Sequence, residues 1–216
     1  MSLRPDPWVI KAGGSIDEEP GALSRLLGQI ARLAPKTPVA LVPGGGAFAG
    51  FVRSRCAERS TRDDTAHIQA VLSMAQYGYE IVEKLRNAAP SHDGSEVSAA
   101  FQKGFTPVFI PYPWILGAGD LPASWSVTSD TIAARVCALI GARKLILLKS
   151  VDGIMADGRI VAEIDARTPP VTDVVDTCFF ASLKPGWETW IINGRKPARL
   201  KELVEEGRVE GTRVFS

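Results

Sequence analysis

The sequence predicts an α/β fold, a three-layer αβα sandwich around a mainly parallel sheet, formed by residues 1–216 as one domain. Three observations predict it. Short apolar runs of strand length alternate with longer segments in which apolar residues recur at helical spacing. The chain has 216 residues, of which 45% are hydrophobic, which suffices for one sizeable core. Two glycine-rich turns follow early apolar runs, as expected where parallel strands end and sites form.

The first half of the chain contains two predicted strands and three predicted helices. Residues 8–10 and 39–42 are short apolar runs typical of buried strands. A long helix is predicted from about residue 63 to residue 85, with Asp63 or Asp64 placed to cap its start. Apolar residues at helical spacing predict two further helices, one carrying Leu23, Leu26, Leu27, Ile30 and Leu33, the other Phe48, Phe51 and Val52.

The second half of the chain continues the alternation. Residues 107–111 form a predicted strand between two prolines, and residues 144–148 form the most apolar strand. A helix is predicted from Ser129 to a C-cap at Gly141. The Asp-Gly pair at 157–158 predicts a hairpin with a type I′ turn. The remaining assignments are strands at 190–192 and 212–215, the latter at a sheet edge, a helix over 197–203, and loops at 88–95 and 117–120.

Charge and cysteine content exclude several classes of protein. The formal net charge is +1 without a long basic block, so we expect neither nucleic acid nor a membrane surface as a partner. Cys56, Cys137 and Cys178 lack metal-ligand spacing, which is typical of reduced packing residues in the cytoplasm. The first residues include no apolar signal segment, and no run approaches the roughly 18 apolar residues of a membrane span. We therefore expect a cytoplasmic protein.

Two glycine turns predict phosphate chemistry. Lys11 precedes Gly13 and Gly14 at the end of the first strand, and a triple glycine follows the second. Glycine lets the backbone turn N–H groups toward an anion, a following helix adds a favourable dipole, and Lys11 adds a mobile positive charge. Two such turns with one lysine predict a phosphoryl group that passes between a donor and an acceptor. The triple glycine consists of Gly44, Gly45 and Gly46.

A dinucleotide site is the competing interpretation of the second turn. Gly44, Gly46 and Ala49 match the relaxed G-x-G-x-x-A fingerprint, and Asp63 and Asp64 lie near the spacing of its ribose-binding acid. This short pattern usually occupies the first strand–helix unit of its fold, and it leaves the lysine turn without a role. The sequence also has neither the G-x-x-x-x-G-K-[ST] loop nor the protein-kinase motifs.

The motifs resemble those of the amino acid kinase superfamily, the fold of aspartokinase, acetylglutamate kinase and uridylate kinase. The resemblance implies an αβα fold and ATP as phosphoryl donor. It is carried, in the order of the family, by segments 10–15, 42–46, 128–130 and 148–154.

Within this superfamily the chain resembles a short branch of kinases that act on aminomethylfuranmethyl phosphate in methanofuran biosynthesis. That resemblance implies an acceptor that is an alcohol monophosphate and a product that is its diphosphate. It is carried by segments 43–49, 52–53, 124–130, 175–177 and 192–197.

The resemblance implies roles for individual residues. Lys11 bridges the γ-phosphate of ATP and the acceptor, and Lys184 is the second lysine near the leaving phosphate. Asp130 holds the lysines by ion pairing or serves as a helix N-cap, and Mg²⁺ binds mainly to the phosphates. The residues assigned to the nucleotide side are Gly13, Gly14, Ser15, Lys149, Ser150, Asp152 and Gly153.

Several residues assigned to the acceptor side also have an alternative, structural role. The backbone of the triple glycine and Thr128 are assigned to it. Arg53 clamps the acceptor phosphate or lies on a solvated helix face. His67 contacts the acceptor or packs within its helix, and Trp125 lines the pocket or packs.

We expect an ATP-dependent kinase of a small phosphorylated alcohol. Uridylate kinase and an amino acid kinase that forms an acyl phosphate are the alternatives. A nucleotide-binding protein without catalysis also stays open, because Lys149 and Ser150 stand where the family more often has a Thr-Asp pair. The apolar face of the helix predicted at 63–85, with the habit of the family, implies a homo-oligomer.

Overall fold

A computed structural model describes residues 6–112, 114–119 and 121–216. Residues 1–5, Pro113 and Asp120, the last in a predicted loop, lie outside these ranges. The strands are β1 (Trp8–Ala12), β2 (Val39–Pro43), β3 (Ala88–Ser91), β4 (Thr106–Phe109), β5 (Lys144–Lys149), β6 (Met155–Ala156), β7 (Arg159–Ile160), β8 (Glu163–Asp165), β9 (Glu188–Asn193) and β10 (Thr212–Phe215).

The helices connect these strands. A 3-10 helix (Gly14–Glu18) follows β1. The α-helices are α1 (Ala22–Leu33), α2 (Gly46–Glu58), α3 (Asp63–Lys84), α4 (Gly94–Gln102), α5 (Trp114–Ala118), α6 (Ser129–Leu139), α7 (Phe179–Ser182) and α8 (Pro197–Glu206).

The central sheet has eight strands in the order β3-β4-β2-β1-β5-β9-β10-β8. The first six run parallel, β10 runs antiparallel to β9, and β8 pairs in parallel with β10. The prediction of a mainly parallel sheet is therefore confirmed. Strands β1 and β5 lie side by side at its centre, so their carboxyl ends meet at one edge.

Alternate residues of the central strands face opposite layers. Leu145 and Leu147 of β5 belong to one buried cluster, and Ile146 and Leu148 belong to the other. Helices α4, α6 and α7 cover the first cluster, and α1, α8 and the second half of α3 cover the second. A sheet covered on both faces explains why its strands are apolar runs rather than alternating patterns.

The sheet edges differ from the predictions. Residues 88–91, predicted as a loop, form the edge strand β3, and Pro90 is tolerated there because an edge strand needs fewer N–H donors. The segment 94–102 that follows is helix α4. Strand β10 is not an edge, because the three-residue β8 covers it. Residues 117 and 118 end helix α5 instead of opening a loop.

Two local predictions have clear outcomes. The hairpin of β6 and β7 turns at Asp157 and Gly158, both with positive φ, which confirms the predicted turn. The N-cap of α3 is Arg62, so Asp63 and Asp64 lie in the first turn, where they complement the helix dipole without capping. Over the described ranges, no helix combines the length and apolarity that crossing a bilayer requires.

Candidate active site

The two glycine turns touch each other at the carboxyl ends of β1 and β2. A Cβ atom built on Gly14 would lie 2.3 Å from the amide nitrogen of Gly46, and one on Gly44 would lie 2.5 Å from that of Gly14. Gly46 has a φ of +56° and packs against the ring of Tyr77. These contacts require glycine because backbone lies against backbone, so the two turns form one continuous surface.

The N–H groups of these glycines divide into two kinds. Gly13 donates to the carbonyl of Leu148 at 2.9 Å, and Gly44 donates to the carbonyl of Ala12 at 2.8 Å. Both bonds extend the sheet, so Gly13 shapes the turn and does not offer the anion donor that was predicted. Within the described part of the chain, Gly14, Gly45 and Gly46 donate no backbone hydrogen bond outside their helices. Their amides are the available anion donors, next to the start of α2.

We expect Gly14→Ala to lower kcat/KM by more than tenfold, because the added methyl group must push the two turns apart. The fold should persist, since overpacking typically costs about 1–3 kcal/mol. Steady-state kinetics beside thermal unfolding measure both effects. Gly28→Ala is the matched control: Gly28 is an exposed position of α1 with no atom within 4 Å of a new Cβ, and its substitution should leave kcat/KM unchanged. Equal activity of the two variants would contradict the expectation.

Two lysines share one buried aspartate beside the turns. Lys11 Nζ lies 2.8 Å from Asp130 Oδ1, and Lys149 Nζ lies 2.5 Å from Asp130 Oδ2. Lys11 is 4% exposed and Asp130 is 2% exposed. Burial raises the pKa of Asp130, but the charges of the two lysines outweigh it and hold this pKa below its ordinary value. The ion pairing predicted for Asp130 and Lys11 is present, and its second lysine is Lys149.

The structure does not bring Lys184 to this cluster. Its carbonyl accepts a hydrogen bond from Trp187, one residue before β9 begins, and the next residue, Glu188, donates to Arg143 beside the start of β5. Lys184 therefore lies at the amino edge of the sheet, whereas Lys11 lies toward the carboxyl edge. Lys184 therefore matches the second lysine of the family only by its order in the sequence, because it does not lie beside Lys11 and Asp130.

Asp176 positions the helix that carries Asp130. Its Oδ2 accepts hydrogen bonds from the backbone N–H groups of Thr128 and Thr131, both at 3.0 Å, and its two oxygens also accept from both threonine hydroxyls. Asp176 therefore caps α6 from a distant loop, and Asp130 occupies the first turn. Asp176 belongs to segment 175–177, which carries the resemblance, but a cap 45 residues away leaves no local spacing signal that would predict its role.

A small cavity opens beside the second glycine turn. It has a volume of about 130 Å³, and its lining includes residues from the turn, from α2 and α3, and from the segment before α6. The predicted acceptor residues that line it are Gly45, Arg53, His67, Trp125 and Thr128.

The polar groups of this cavity suit an anion. The Arg53 guanidinium lies 5.2 Å from the centre of the Trp125 ring, a cation–π contact that orients its positive charge. Burial lowers the pKa of His67, against a smaller effect of its hydrogen bond to the Ser124 backbone, so the ring is neutral at pH 7. No described lining residue carries a carboxylate.

Of the residues assigned to the nucleotide side, Ser15 and Ser150 meet beside the first turn, whereas Asp152 and Gly153 contact residues of β9, α8 and β10. Ser15 Oγ donates to Ser150 Oγ at 3.1 Å, which ties the 3-10 helix to the end of β5. Asp152 accepts hydrogen bonds from the side chains of Asn193 and Lys196. These bonds, with the largest effect from Lys196, lower the pKa of Asp152 to about 2. A further contact to Asp152 comes from Arg199. Gly153 is crowded, because an added Cβ would lie 2.8 Å from Thr212 Oγ1.

Metal ligands are scarce near the lysine pair. Among the described residues, no group of three or more His, Cys, Asp or Glu side chains could hold a metal ion. The oxygens of Asp130 face lysines, and those of Asp176 accept four hydrogen bonds. This donor set fits a Mg²⁺ ion that is held mainly by phosphate oxygens and water.

A larger hollow of about 750 Å³ lies at the opposite edge of the sheet. Its lining includes Val39 at the start of β2 and Thr106 at the start of β4, together with Lys36 and Arg86. No predicted site residue lines it. Because α/β sheets bind their ligands at the carboxyl ends of the strands, we place the chemistry at the lysine pair.

Several known proteins are similar to this chain. The chain is similar to the [5-(aminomethyl)furan-3-yl]methyl phosphate kinase of Methanocaldococcus jannaschii, 25% identical over 201 residues that cover 91% of this chain and 92% of that one. It is 28% identical over 185 residues to an acetylglutamate kinase of Acidiphilium cryptum, covering 79% of this chain and 57% of that relative. The UMP kinase structure from Ureaplasma parvum superposes with a TM-score of 0.77 at 17% identity, over 98% of this chain and 100% of that one.

The sequence also matches the model of the amino acid kinase family over residues 6–170, well over half of the chain. This match confirms the superfamily that the motif resemblance implied and the expected kinase class. The chain belongs to the amino acid kinase family.

Proposed function

We propose that this protein transfers the γ-phosphoryl group of ATP to the phosphate of a small phosphorylated alcohol, and that the acceptor is [5-(aminomethyl)furan-3-yl]methyl phosphate. The observation that carries the proposal is the position of Lys11. Lys11 lies in β1 just before the first of two joined glycine turns, and its ammonium group pairs with Asp130, which follows Ser129 of the lining of the small cavity. This arrangement can hold two phosphates against one lysine.

The chemistry follows from positioning and charge. An oxygen of the acceptor phosphate attacks the γ-phosphorus, the new P–O bond forms, and the bond to the β,γ-bridging oxygen breaks to release ADP. Lys11 binds the γ-phosphoryl oxygens, where negative charge spreads in the transition state. The amide of Gly14 supports the donor, and the amides of Gly45 and Gly46 support the acceptor. A Mg²⁺ ion held by the donor phosphates and water would neutralise part of the phosphate charge.

The size and charge of the cavity favour the acceptor that we propose. Its volume of about 130 Å³ is below the roughly 300–1,000 Å³ of drug-sized ligand sites, which favours a small phosphate ester over a nucleotide. Arg53 supplies a positive charge for that phosphate. The relative from M. jannaschii, whose name gives this acceptor, aligns with almost the whole chain.

A product assay tests the proposal. The protein is incubated with ATP, Mg²⁺ and one of three acceptors, the furan phosphate, UMP or acetylglutamate, and products are identified by phosphorus NMR and mass spectrometry. We expect the diphosphate of the furan compound, with kcat/KM at least tenfold above that for UMP. Faster conversion of UMP would establish a uridylate kinase, and an acyl phosphate would establish an amino acid kinase. ATP binding without transfer to any of them would contradict the proposal.

We expect Arg53→Met to raise the KM for the acceptor about 10- to 100-fold, since a hydrogen bond to a charged group contributes about 1.5–3 kcal/mol. The KM for ATP should change little, because Arg53 lines only the acceptor cavity. Initial-rate kinetics with each substrate varied in turn measure both constants. Arg55→Met is the control, because Arg55 is exposed on the same helix and does not line the cavity. An increase in the KM for ATP alone would exclude the clamp.

We also propose that the protein is a homo-oligomer. Ile68, Leu72 and Tyr79 of α3 are 39%, 39% and 50% exposed, and their spacing places them on one face of the helix. Light scattering should report a dimer or larger assembly, and the double variant Ile68→Lys/Leu72→Lys should shift it toward the monomer. A monomeric wild-type protein would refute this expectation.

A further inference from the structure

We propose that Lys149 is the second phosphate-binding lysine of the reaction and contacts the leaving phosphate of ATP from the end of β5. This inference rests on the proposed function, because it assumes that a triphosphate binds beside the first glycine turn. It assigns to Lys149 a catalytic contact that the family resemblance assigned to Lys184.

The backbone places Lys149 at the first turn. Leu148, the residue before it, accepts the hydrogen bond of Gly13, and a Cβ on Gly13 would lie 3.7 Å from the Cα of Lys149. Ser150, the residue after it, accepts the hydrogen bond of Ser15. Lys149 is therefore held on both sides by the turn that we assign to the donor phosphates.

The ammonium group of Lys149 has N–H donors available for a ligand. An ammonium group has three N–H donors, and among the described residues Lys149 gives a hydrogen bond only to Asp130. Asp176 is the other negative group that acts on it, but four hydrogen bonds from the start of α6 occupy the oxygens of Asp176. The ammonium groups of Lys11 and Lys149 thus share the single carboxylate of Asp130 at a nearly buried site, which leaves one positive charge unbalanced. A phosphate supplies the anion that this site lacks.

The protonation of Lys149 supports this role. Burial lowers its pKa to about 8, with a further decrease caused by the charge of Lys11 on β1. The charges of Asp130 on α6 and Asp176 before α7 act in the opposite direction. The group is still mostly protonated at pH 7 and loses its proton just above that pH. A bound phosphate favours the charged form, so binding of a triphosphate and protonation of Lys149 are coupled.

The test compares four variants of the full chain. Lys149→Met removes the charge and keeps the stem, Lys149→Arg keeps a charge that does not titrate, and Lys184→Met tests the competing assignment. Lys201→Met, on the exposed surface of α8, is the matched control. We expect Lys149→Met to lower kcat about 10²- to 10³-fold, the scale of one transition-state donor. The Lys184 and Lys201 variants should keep wild-type kcat, and loss of kcat in Lys184→Met with a normal Lys149→Met would overturn the inference.

A binding experiment separates the inference from the proposed function. The affinity for a non-hydrolysable ATP analogue with Mg²⁺ is measured by calorimetry at pH 7 and pH 9. Wild-type affinity should fall several-fold at pH 9, whereas Lys149→Arg and Lys149→Met should show no such decrease. If the wild type phosphorylates no acceptor but this pattern holds, the proposed function fails and the phosphate contact of Lys149 stands. If all proteins respond alike to pH, the inference fails whatever the acceptor.

Discussion

Lys11→Met is expected to lower kcat about 10²- to 10³-fold while the protein stays folded. The substitution keeps the length of the side chain but removes the ammonium group that we propose binds the γ-phosphoryl oxygens, and one such donor typically contributes this much to catalysis. Folding should persist because Asp130 keeps its second partner, Lys149, at 2.5 Å. Single-turnover kinetics with saturating ATP and acceptor measure the chemical step directly.

The control for this substitution is Lys201→Met, which removes a lysine with an exposed i,i+4 partner on α8. Its kcat should equal that of the wild type, since exposed pairs contribute little. Thermal unfolding of both variants shows whether either loses structure. A Lys11→Met protein with wild-type kcat would remove Lys11 from the mechanism and, with it, the assignment of the two glycine turns to one reaction.

Asp130→Asn is expected to lower both stability and activity. Without the carboxylate, Lys11 and Lys149 face each other as like charges at a nearly buried position, and loss of one partner from a buried ion pair costs about 3–5 kcal/mol. Activity should fall because neither ammonium group is then held in place. Urea unfolding measures the free energy of unfolding, and steady-state kinetics measure the loss of kcat.

The double variant Asp130→Asn/Lys149→Met makes this prediction specific. Removing one of the two like charges should recover much of the lost stability without restoring activity, so the two substitutions should be strongly non-additive in the free energy of unfolding. If their effects simply add, the three side chains do not act as one cluster. A fully active Asp130→Asn protein would show that pairing does not position the lysines.

The same cluster predicts how stability varies with pH. The pKa of Lys149 is about 8 in the folded chain and about 10.4 in an unfolded one, so between these values the unfolded chain binds more protons. Stability attributable to Lys149 therefore rises as pH increases through this window. Urea unfolding at several pH values should show the rise in the wild type and its absence in Lys149→Met.

The central features could be predicted from the sequence because their signals are local. The apolar runs of β1, β2 and β5 and the glycine turns that follow the first two each occupy a few consecutive residues. Asp130 was predicted at the start of a helix and paired with Lys11 and Lys184, and the structure places it in the first turn of α6, paired with Lys11 and Lys149. Its pairing with Lys11 at 2.8 Å follows from the parallel neighbours β1 and β5, beneath α6.

The features that sequence reasoning missed depend on contacts between distant segments. Lys149 was assigned to the nucleotide by resemblance, and only its register beside β1 brings its ammonium group to Asp130. Asp176 caps a helix that begins 47 residues earlier in the chain. Strand β3 escaped prediction because Pro90 disfavours strands in general, and it forms at an edge where that penalty is small.

The most direct test of the central claim is a crystal structure with Mg²⁺, a non-hydrolysable ATP analogue and the furan phosphate bound together. We expect Lys11 Nζ about 3 Å from an oxygen of the γ-phosphate, the acceptor phosphate against the amides of Gly45 and Gly46, and Arg53 beside it. A triphosphate bound away from Lys11, or an acceptor outside the Arg53 cavity, would contradict the account.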